Sequence, residues 1–553
     1  MKYIIILAAL FGIIFLSDIL KKRRLKRMVA KEWSEKKSFS LDEPVDSVNT
    51  YWKNHGGQQH GVDDITWRDL SLDEVFKKLN YTQTSVGSEY LYHQLHNIQL
   101  TDQDRDEPFY QLMQENEPLR TRLLFDLKLL GKRNHTNSSS FFHKEYQNIK
   151  HVWLYFVCGI LPVVSIGVIF FSMKYGLLSL IVSLCLNIVI YYKNRRHLDI
   201  SLYEISYLAG IIRTGKRMNN ITDDSFRPYR KSIGKLVEPI QKMLFLERVV
   251  SLGKGTGDLE GLFEYIRIIF LLDFISYFFI IRMLQNHKEE YEALWKAIGK
   301  IDSCIAVAFY RRANSDYCTP EFIHTEEVLF EDMYHPLIED PVKNASQLTK
   351  LSLITGSNAS GKSTFMKAVA INAILAQTIN TVLASSWSMK PGYVLSSMAI
   401  QDNVIDGDSY FKAEIKSLKR IMNTVESGVP CLAFIDEILR GTNTVERIAA
   451  SASIMEWLSK HQGMTMIASH DIELTTMVEG FENYHFRETV QEDSVYFDYK
   501  IHRGPSTTKN AIKLLEQMKY PTVVTGLAYR LASDFEVRGE WKVPSTYIAQ
   551  TRM

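Results

Sequence analysis

Cysteine is scarce in this 553-residue chain. Its five residues, Cys158, Cys185, Cys304, Cys318 and Cys431, form no CxxC pair and show no metal-ligand spacing. That excludes a disulfide framework and a zinc module. It fits a reducing compartment, with all five expected as small buried apolar residues. An excess of one charge sign is also lacking. Lys+Arg 65 against Asp+Glu 63 leaves a net charge of only +2, so nucleic-acid contact has to be argued from local patches. With 46% hydrophobic and 23% charged residues the chain is not disordered, and it is long enough for several domains.

What the chain does have is long apolar runs. Tyr3 to Leu20 is almost uninterrupted and is followed by Lys21, Lys22, Arg23, Arg24, Lys26, Arg27 and Lys31. A cleaved signal peptide carries its charge in the opposite order, so a retained transmembrane anchor is expected, with a membrane-surface helix as the alternative. Trp153 to Ser172 and Leu177 to Tyr192 carry no charge, are separated by four residues, and precede Lys193, Arg195 and Arg196. They predict a transmembrane hairpin whose basic end, like that of the anchor, lies in the cytoplasm. Leu262 to Leu284 is equally rich in Ile, Leu and Phe but contains Glu264, Arg267, Asp273 and Arg282. Those charges, and the need to keep the phosphate-binding loop described below on the ATP side, predict a soluble core helix. The expected localisation is the cell membrane, multi-pass, with the catalytic part cytoplasmic.

Between these runs the chain is helical in pattern. Leu72, Val75, Phe76 and Leu79 recur at helical spacing, and Ile200–Asn219, Leu236–Val250 and Leu262–Tyr310 have few breakers. From Val328 onward short β-rich runs alternate with helical patterns, which predicts an α/β domain with a largely parallel sheet.

The chemistry gathers in that last part. The run LSLIT leads into GSNASGKST and then into a helical pattern, so Gly356, Gly361, Lys362 and Ser363 fit GxxxxGK[ST] between a strand and a helix. Glycines there let successive N–H groups point at phosphate oxygens at the positive end of a helix dipole. Lys362 is expected on the β- and γ-phosphates of ATP and Ser363 on Mg²⁺. Gly356, Ser357, Asn358, Ala359, Ser360, Gly361, Lys362, Ser363 and Thr364 form the candidate nucleotide-binding loop. Cys431 to Ile435 is an apolar run ending in Asp436 and Glu437. Behind such a loop, Asp436 suits the Mg²⁺ shell and Glu437 suits the polarisation of water. Met464 to Ala468 is a further run, ending in Ser469 and His470, with His470 placed for the γ-phosphate. Taken singly, an Asp-Glu pair also suits a solvated loop, and a His at a strand end also suits a cap.

Their order carries a resemblance. LITGSNASGKSTFMKAVAIN, CLAFIDEILRGTNTVERIAAS and MIASHDIELT are similar, in series, to the ATPase domain of the MutS family of DNA mismatch-repair ATPases. Thr82, Gly87, Ser88, Leu91 and Leu95 resemble the start of that family's helical core, and KAIGKIDSCIAVAFYRRANSDYCTPEF resembles the helix returning from its lever arms. The resemblance implies an α/β ABC-type P-loop ATPase domain joined to an all-α core and lever domain, here with an N-terminal anchor and an inserted transmembrane hairpin. It implies ATP and Mg²⁺, with Glu437, His470 and Lys362 catalytic. His335 (in MYHPLIED) and Asn344 are implied at the adenine. Gly407, Ser409, Phe411 and Glu414 match a signature segment that presents Ser409 to a partner subunit's nucleotide, while Asp408 and Tyr410 depart from the pattern. GPSTTKNAIKLLEQMKYPTVVTGLAYRLAS resembles the family's dimerisation element, so a homodimer is implied.

The expected organisation is 1–20 anchor, 21–62 basic linker, 63–150 first helical core, 151–193 hairpin, 194–327 second core and lever, 328–535 ATPase and 536–553 tail. Lys21 to about Asp63 is too short for the family's mismatch-reading module, so no reader of mismatches is expected. Two functional readings stay open. One is a tethered DNA-acting ATPase using Lys216, Arg217, Arg227, Arg230 and Lys231 on phosphates. The other is a mechanochemical or signalling ATPase acting on the lipid bilayer or a protein partner without DNA.

Overall fold

A computed structural model describes residues 20–541 apart from 22, 30, 34, 36–43, 56–60, 99, 102–105, 134–137, 143–151, 196–201, 252–259, 358–359, 399–409, 492–493, 507–510 and 540. Residues 3–19 of the expected anchor, and Asn358, Ala359, Gly407, Asp408 and Ser409, lie outside the described residues. The chain divides into two units. One comprises 1–57, 76–94 and 106–313; the other comprises 58–75, 95–105 and 314–553.

The first unit is helical. It contains α1 (Ser85–His96), α2 (Glu107–Glu115), α3 (Glu117–Leu130), α4 (Val152–Ile169), α5 (Met173–Asn194), α6 (Leu202–Met218), α7 (Arg227–Ile240), α8 (Met243–Val250), α9 (Glu260–Ile269), α10 (Leu272–Asn286) and α11 (Lys288–Ala313). The 26-residue α11 packs on α2, α6 and α7. Its Asp302, fully buried, accepts from the backbone N–H groups of Gln83 (2.9 Å) and Thr84 (2.9 Å) and from the Thr84 hydroxyl (2.6 Å). These are orphan donors at the start of α1, capped by a residue more than two hundred positions away. The close approach also explains Gly87, where an added Cβ would lie 2.1 Å from the Asp302 carboxylate.

α4 and α5 are long and apolar enough to cross a membrane. They pack on each other, and their buried residues are mostly small or polar: Cys158, Gly159, Pro162 and Ser165 on α4, and Gly176, Ser183 and Asn187, with Tyr191, on α5. Small residues of this kind let backbones approach where no hydrophobic effect drives helices together. Large apolar side chains point outward instead, with Phe171 94% exposed. The run from Leu262 to Tyr310 is not one helix. It breaks after Ile269, where Leu271 takes φ +51°, and again at His287, and α9 and α10 meet at a 73° bend. Leu236–Val250 likewise divides at Gln241 and Lys242, just past Pro239. Two cysteines depart from the expectation of burial: Cys185 on α5 is exposed and Cys318 is half-buried.

The second unit is α/β. Its larger sheet contains β4 (Leu351–Thr355), β6 (Tyr393–Ser397), β7 (Cys431–Asp436), β8 (Met464–Ser469), β9 (Glu482–Gln491) and β10 (Ser494–Arg503), in the order β10-β9-β4-β8-β7-β6. All neighbours are parallel except β10, which is antiparallel to β9. LSLIT becomes β4 because every residue of it is buried, as a central parallel strand covered on both faces requires. Register aligns Thr355 with Ser469 and Asp436 with Ala468, so the strands end level. α12 (Lys362–Ile379) springs from the end of β4 and is buried almost throughout. A smaller sheet orders β1 (Glu321–Phe322), β5 (Ser386–Met389), β2 (Val328–Met333) and β3 (Asn344–Leu348). The short helix Asp64–Asp69 docks on β6: Asp69 accepts from the Ser396 hydroxyl (2.8 Å) and the Met398 N–H (2.9 Å).

Candidate active site

Ligands of open parallel sheets bind beyond the carboxyl ends of the strands, and the sequence-predicted groups converge there. Gly356 (φ +145°) and Gly361 (φ +101°) bound the loop between β4 and α12 in conformations that L side chains rarely adopt. The loop tightens on itself, with the Ser360 hydroxyl donating to the Ser357 carbonyl at 2.7 Å. Lys362 is buried beneath it, its Nζ donating to the carbonyls of Gly356 (2.6 Å) and Ser357 (2.8 Å). Burial pushes its pKa down, against the pull of the Asp436, Glu437 and Glu488 carboxylates. A cation at a loop of this kind is what a polyphosphate needs.

Asp436 ends β7. Burial pushes its carboxyl up, opposed chiefly by a hydrogen bond from the Ser363 hydroxyl. The two groups read from sequence as Mg²⁺ ligands therefore lie close together, and a hydroxyl near a carboxylate is the hard oxygen donor set that Mg²⁺ prefers. Glu437 follows with φ +60°, a strained conformation for a non-glycine residue, its N–H donating to the Ala468 carbonyl at 2.9 Å. Its carboxylate lies 3.2 Å from His470 Nδ1 and 2.9 Å from Arg440 Nε. The hydrogen bond to His470 holds Glu437 below the usual carboxylate range and raises the imidazole in turn. Behind His470, Arg447 reaches Nε2 at 3.2 Å and grips Asp471 through two bonds of 2.9 and 2.6 Å.

The Arg440-Gly441-Thr442 turn is held by Glu414 of α13 (Tyr410–Glu426), whose buried carboxylate accepts from the Arg440 N–H at 2.9 Å. Its pKa is raised by burial and opposed by the Arg440, Gly441 and Leu439 amides. Sequence pattern matched Glu414 to the signature segment; the fold makes it the brace of the loop that carries Glu437.

A cavity of about 320 Å³ opens beside the loop, lined by Tyr334, His335, Ile338, Val342, Asn344 and Tyr499 among others, and reaching Gly361 and Ser363. His335 and Asn344 are thus brought to one place, but not in equal roles. His335 Nδ1 accepts from the Leu337 N–H at 3.1 Å and shapes the turn. The Asn344 amide is engaged with the chain: it donates to the Tyr499 carbonyl at 3.1 Å and accepts from the Ile501 N–H at 2.9 Å. What it fixes is Tyr499, a residue that motif reading missed. Tyr499 (φ +52°) sits where the β9–β10 register shifts between Phe497 and Ile501, and a bulge of this kind re-aims a side chain. An aromatic next to the loop glycine, in a strand ending well after the motifs, carries no local sequence signal.

Of the basic residues proposed for DNA phosphates, Arg217 is tied to Asp126 (3.0 Å) and Thr214 (2.8 Å), and Arg230 donates to the Ile221 carbonyl (2.9 Å). Lys216, Arg227 and Lys231 are exposed.

Comparison with known proteins agrees with the geometry. The family profile MutS domain V matches residues 352–536. MutS protein homolog 4 of Mus musculus is 29% identical over 272 residues, 45% of this chain and 28% of that protein. The DNA mismatch repair protein MutS of Geobacillus sp. is 27% identical over 266 residues (45% and 30%), and that of Streptococcus mutans 28% over 269 residues (46% and 31%). The matched region is thus less than a third of the length of these curated relatives. With a phosphate loop, an acid pair and a strand-end histidine in that order on one sheet edge, residues 352–536 are similar to domain V of the MutS family, as the match to that profile and to these relatives shows.

Proposed function

We propose that this chain binds and hydrolyses ATP with Mg²⁺ on the cytoplasmic side of a membrane that it spans through α4 and α5. The observation that carries the reading is the convergence of Lys362, the Ser363–Asp436 pair and the Glu437–His470 pair at the level ends of β4, β7 and β8. Ser363 and Asp436 would hold the Mg²⁺, which supplies charge neutralisation on the phosphate oxygens. Lys362 would leave the loop carbonyls for the incoming phosphates. Glu437, ionised and aligned by His470, is the group to take the proton of an attacking water, and His470 would pass the event back to Arg447 and Asp471. Tyr499 and His335 offer faces for a purine.

Lys362→Ala tests the nucleotide reading: ATP binding should fall by two orders of magnitude or more. Unchanged binding of a fluorescent ATP analogue would overturn it. The family and the names of the relatives favour DNA, mismatched DNA included, as the macromolecule acted on, and the family favours a homodimer. A second reading, motion of the membrane hairpin or of a protein partner without DNA, is favoured by the internal pairing of Arg217 and Arg230 and by the hairpin lying within the helical unit. Duplex-DNA binding by the detergent-solubilised protein separates them. Binding that weakens steeply with salt supports the first, and no binding at low salt leaves the second.

A further inference from the structure

The α9–α10 pair holds its ionisable residues in an unusual way. From Ile266 to Ile281 its charged residues are Arg267 and Asp273, and both are buried. They lie 3.6 Å apart, Asp273 accepts from the Tyr191 hydroxyl of α5 at 3.0 Å, and Arg267 donates to the Val250 carbonyl at 2.7 Å. The residues that stay partly exposed around the bend, including Ile269, Phe270, Leu272, Ile275 and Phe279, are all apolar. Glu264 and Arg282, both exposed, stand on the two limbs away from the bend. In a soluble core the arrangement would be reversed, with charges turned to water and apolar groups turned in. Intramembrane ionisable residues instead face protein and pair with one another.

The bend itself is docked on the hairpin. Asn187, buried in the middle of the apolar α5, donates to the carbonyls of Ile269 (2.6 Å) and of Cys158 on α4 (2.8 Å). Gly159 lies against the Phe270 carbonyl, which an added Cβ would approach to 2.6 Å. Tyr155 stacks on Phe274 at 4.7 Å, and Phe156 meets Phe279 edge-on. Non-helical backbone at membrane depth is tolerated only where protein satisfies it, and Asn187 supplies that service at the break. At 1.5 Å per residue, Asn187 is about 10 Å inside the basic end of α5, and Cys158 about 9 Å inside the start of α4. The bend therefore sits at one depth on both helices.

We infer that α9 and α10 form a re-entrant wedge in the cytoplasmic leaflet, latched to the hairpin by Asn187, with its apolar bend against lipid acyl chains and Glu264 and Arg282 at headgroup level. This rests on the hairpin reading above. The occupant of the exposed apolar face is lipid because that face continues the outward apolar surface of α4 and α5. The wedge has a mechanical consequence: α10 passes through His287 into α11, whose end leads into the ATPase unit, so a membrane-embedded element stands next in the chain to the engine.

The test uses full-length protein in vesicles of phosphatidylcholine with brominated acyl chains, in a Cys185→Ser, Cys318→Ser background. An environment-sensitive fluorophore is placed at Phe270→Cys, at Leu178→Cys on the hairpin, or at Val445→Cys, a position 77% exposed in the ATPase unit. Quenching at 270 and 178 should exceed that at 445 at least twofold. Asn187→Leu should bring the 270 signal toward the 445 level while 178 is unchanged. Quenching at 178 with none at 270 overturns the wedge and leaves the hairpin standing. Absence of quenching at both positions overturns the hairpin and the wedge together. An unchanged 270 signal in Asn187→Leu removes Asn187 as the latch.

Discussion

The two units handle charge in opposite ways. In the helical unit several ionisable side chains are sunk and paired: Asp302 with the amides that start α1, Glu89 with Ser138 and Ser139, Asp126 with Arg217. Such groups fix which helix meets which, because an unanswered buried charge costs several kcal/mol. In the α/β unit the charges collect at one sheet edge. There Lys362, Asp436, Glu437 and His470 perturb one another and stay within reach of a ligand. Buried and answered groups specify structure; clustered groups at a cleft with mutual shifts are what chemistry requires.

The largest expected effect tests the second half of that contrast. Glu437→Gln removes the proton acceptor but keeps shape, so turnover should fall by about 10²- to 10⁴-fold while ATP binding persists. Single-turnover hydrolysis beside equilibrium binding checks it. Unaltered turnover would mean that the general base lies elsewhere and that the Glu437–His470 contact is structural.

The sequence made the site legible because its signals are local. A buried strand, glycines at fixed spacing and an acid pair at a strand end each announce themselves within a dozen residues. The β4 run, Lys362, Ser363, Asp436, Glu437 and His470 all fall where those patterns place them. What stayed hidden depends on partners far along the chain. Asn344 looks like an adenine ligand until Tyr499 and Ile501 are seen to occupy its amide. The break between α9 and α10 has no proline or glycine to mark it, and is stabilised by Asn187, 82 positions away in sequence. Cys185 is outward-facing because the helix carrying it has an apolar exterior, which inverts the usual expectation for cysteine.

A smaller effect probes the helical unit. Glu89 is fully buried and its carboxyl is pushed up from 4.5 to about 7 by burial, against the hydrogen bonds from Ser138 and Ser139. A raised carboxyl contributes stability that is complete below about 4.5 and is lost as pH rises through about 7. The loss is on the order of 3 kcal/mol, at 1.36 kcal/mol per unit. Glu89→Gln, neutral throughout, should flatten the dependence of helical-unit stability between pH 5 and 8 and make the variant relatively more stable at pH 8. Denaturant midpoints across that range measure it. If the two proteins keep the same slope, Glu89 is ionised in the fold and the hydrogen bonds from Ser138 and Ser139 offset its burial completely, which overturns the raised carboxyl.

The smallest effect concerns the wall of the cavity. Tyr499 owes its place to a bulge and to Asn344, so it is positioned by the same kind of long-range contact that orders the helical unit, yet it faces the cleft. If the purine of ATP lies in that cavity, Tyr499→Ala should weaken nucleotide affinity by about tenfold, roughly 1.4 kcal/mol, through lost aromatic contact. Tyr499→Phe should restore it by keeping the ring, and turnover at saturating ATP should change little. An Ala variant with unchanged affinity would place the base elsewhere. An Ala variant with lost turnover but intact affinity would instead tie Tyr499 to the loop glycine it adjoins, Gly361, whose position an added Cβ would bring to 3.1 Å of the ring.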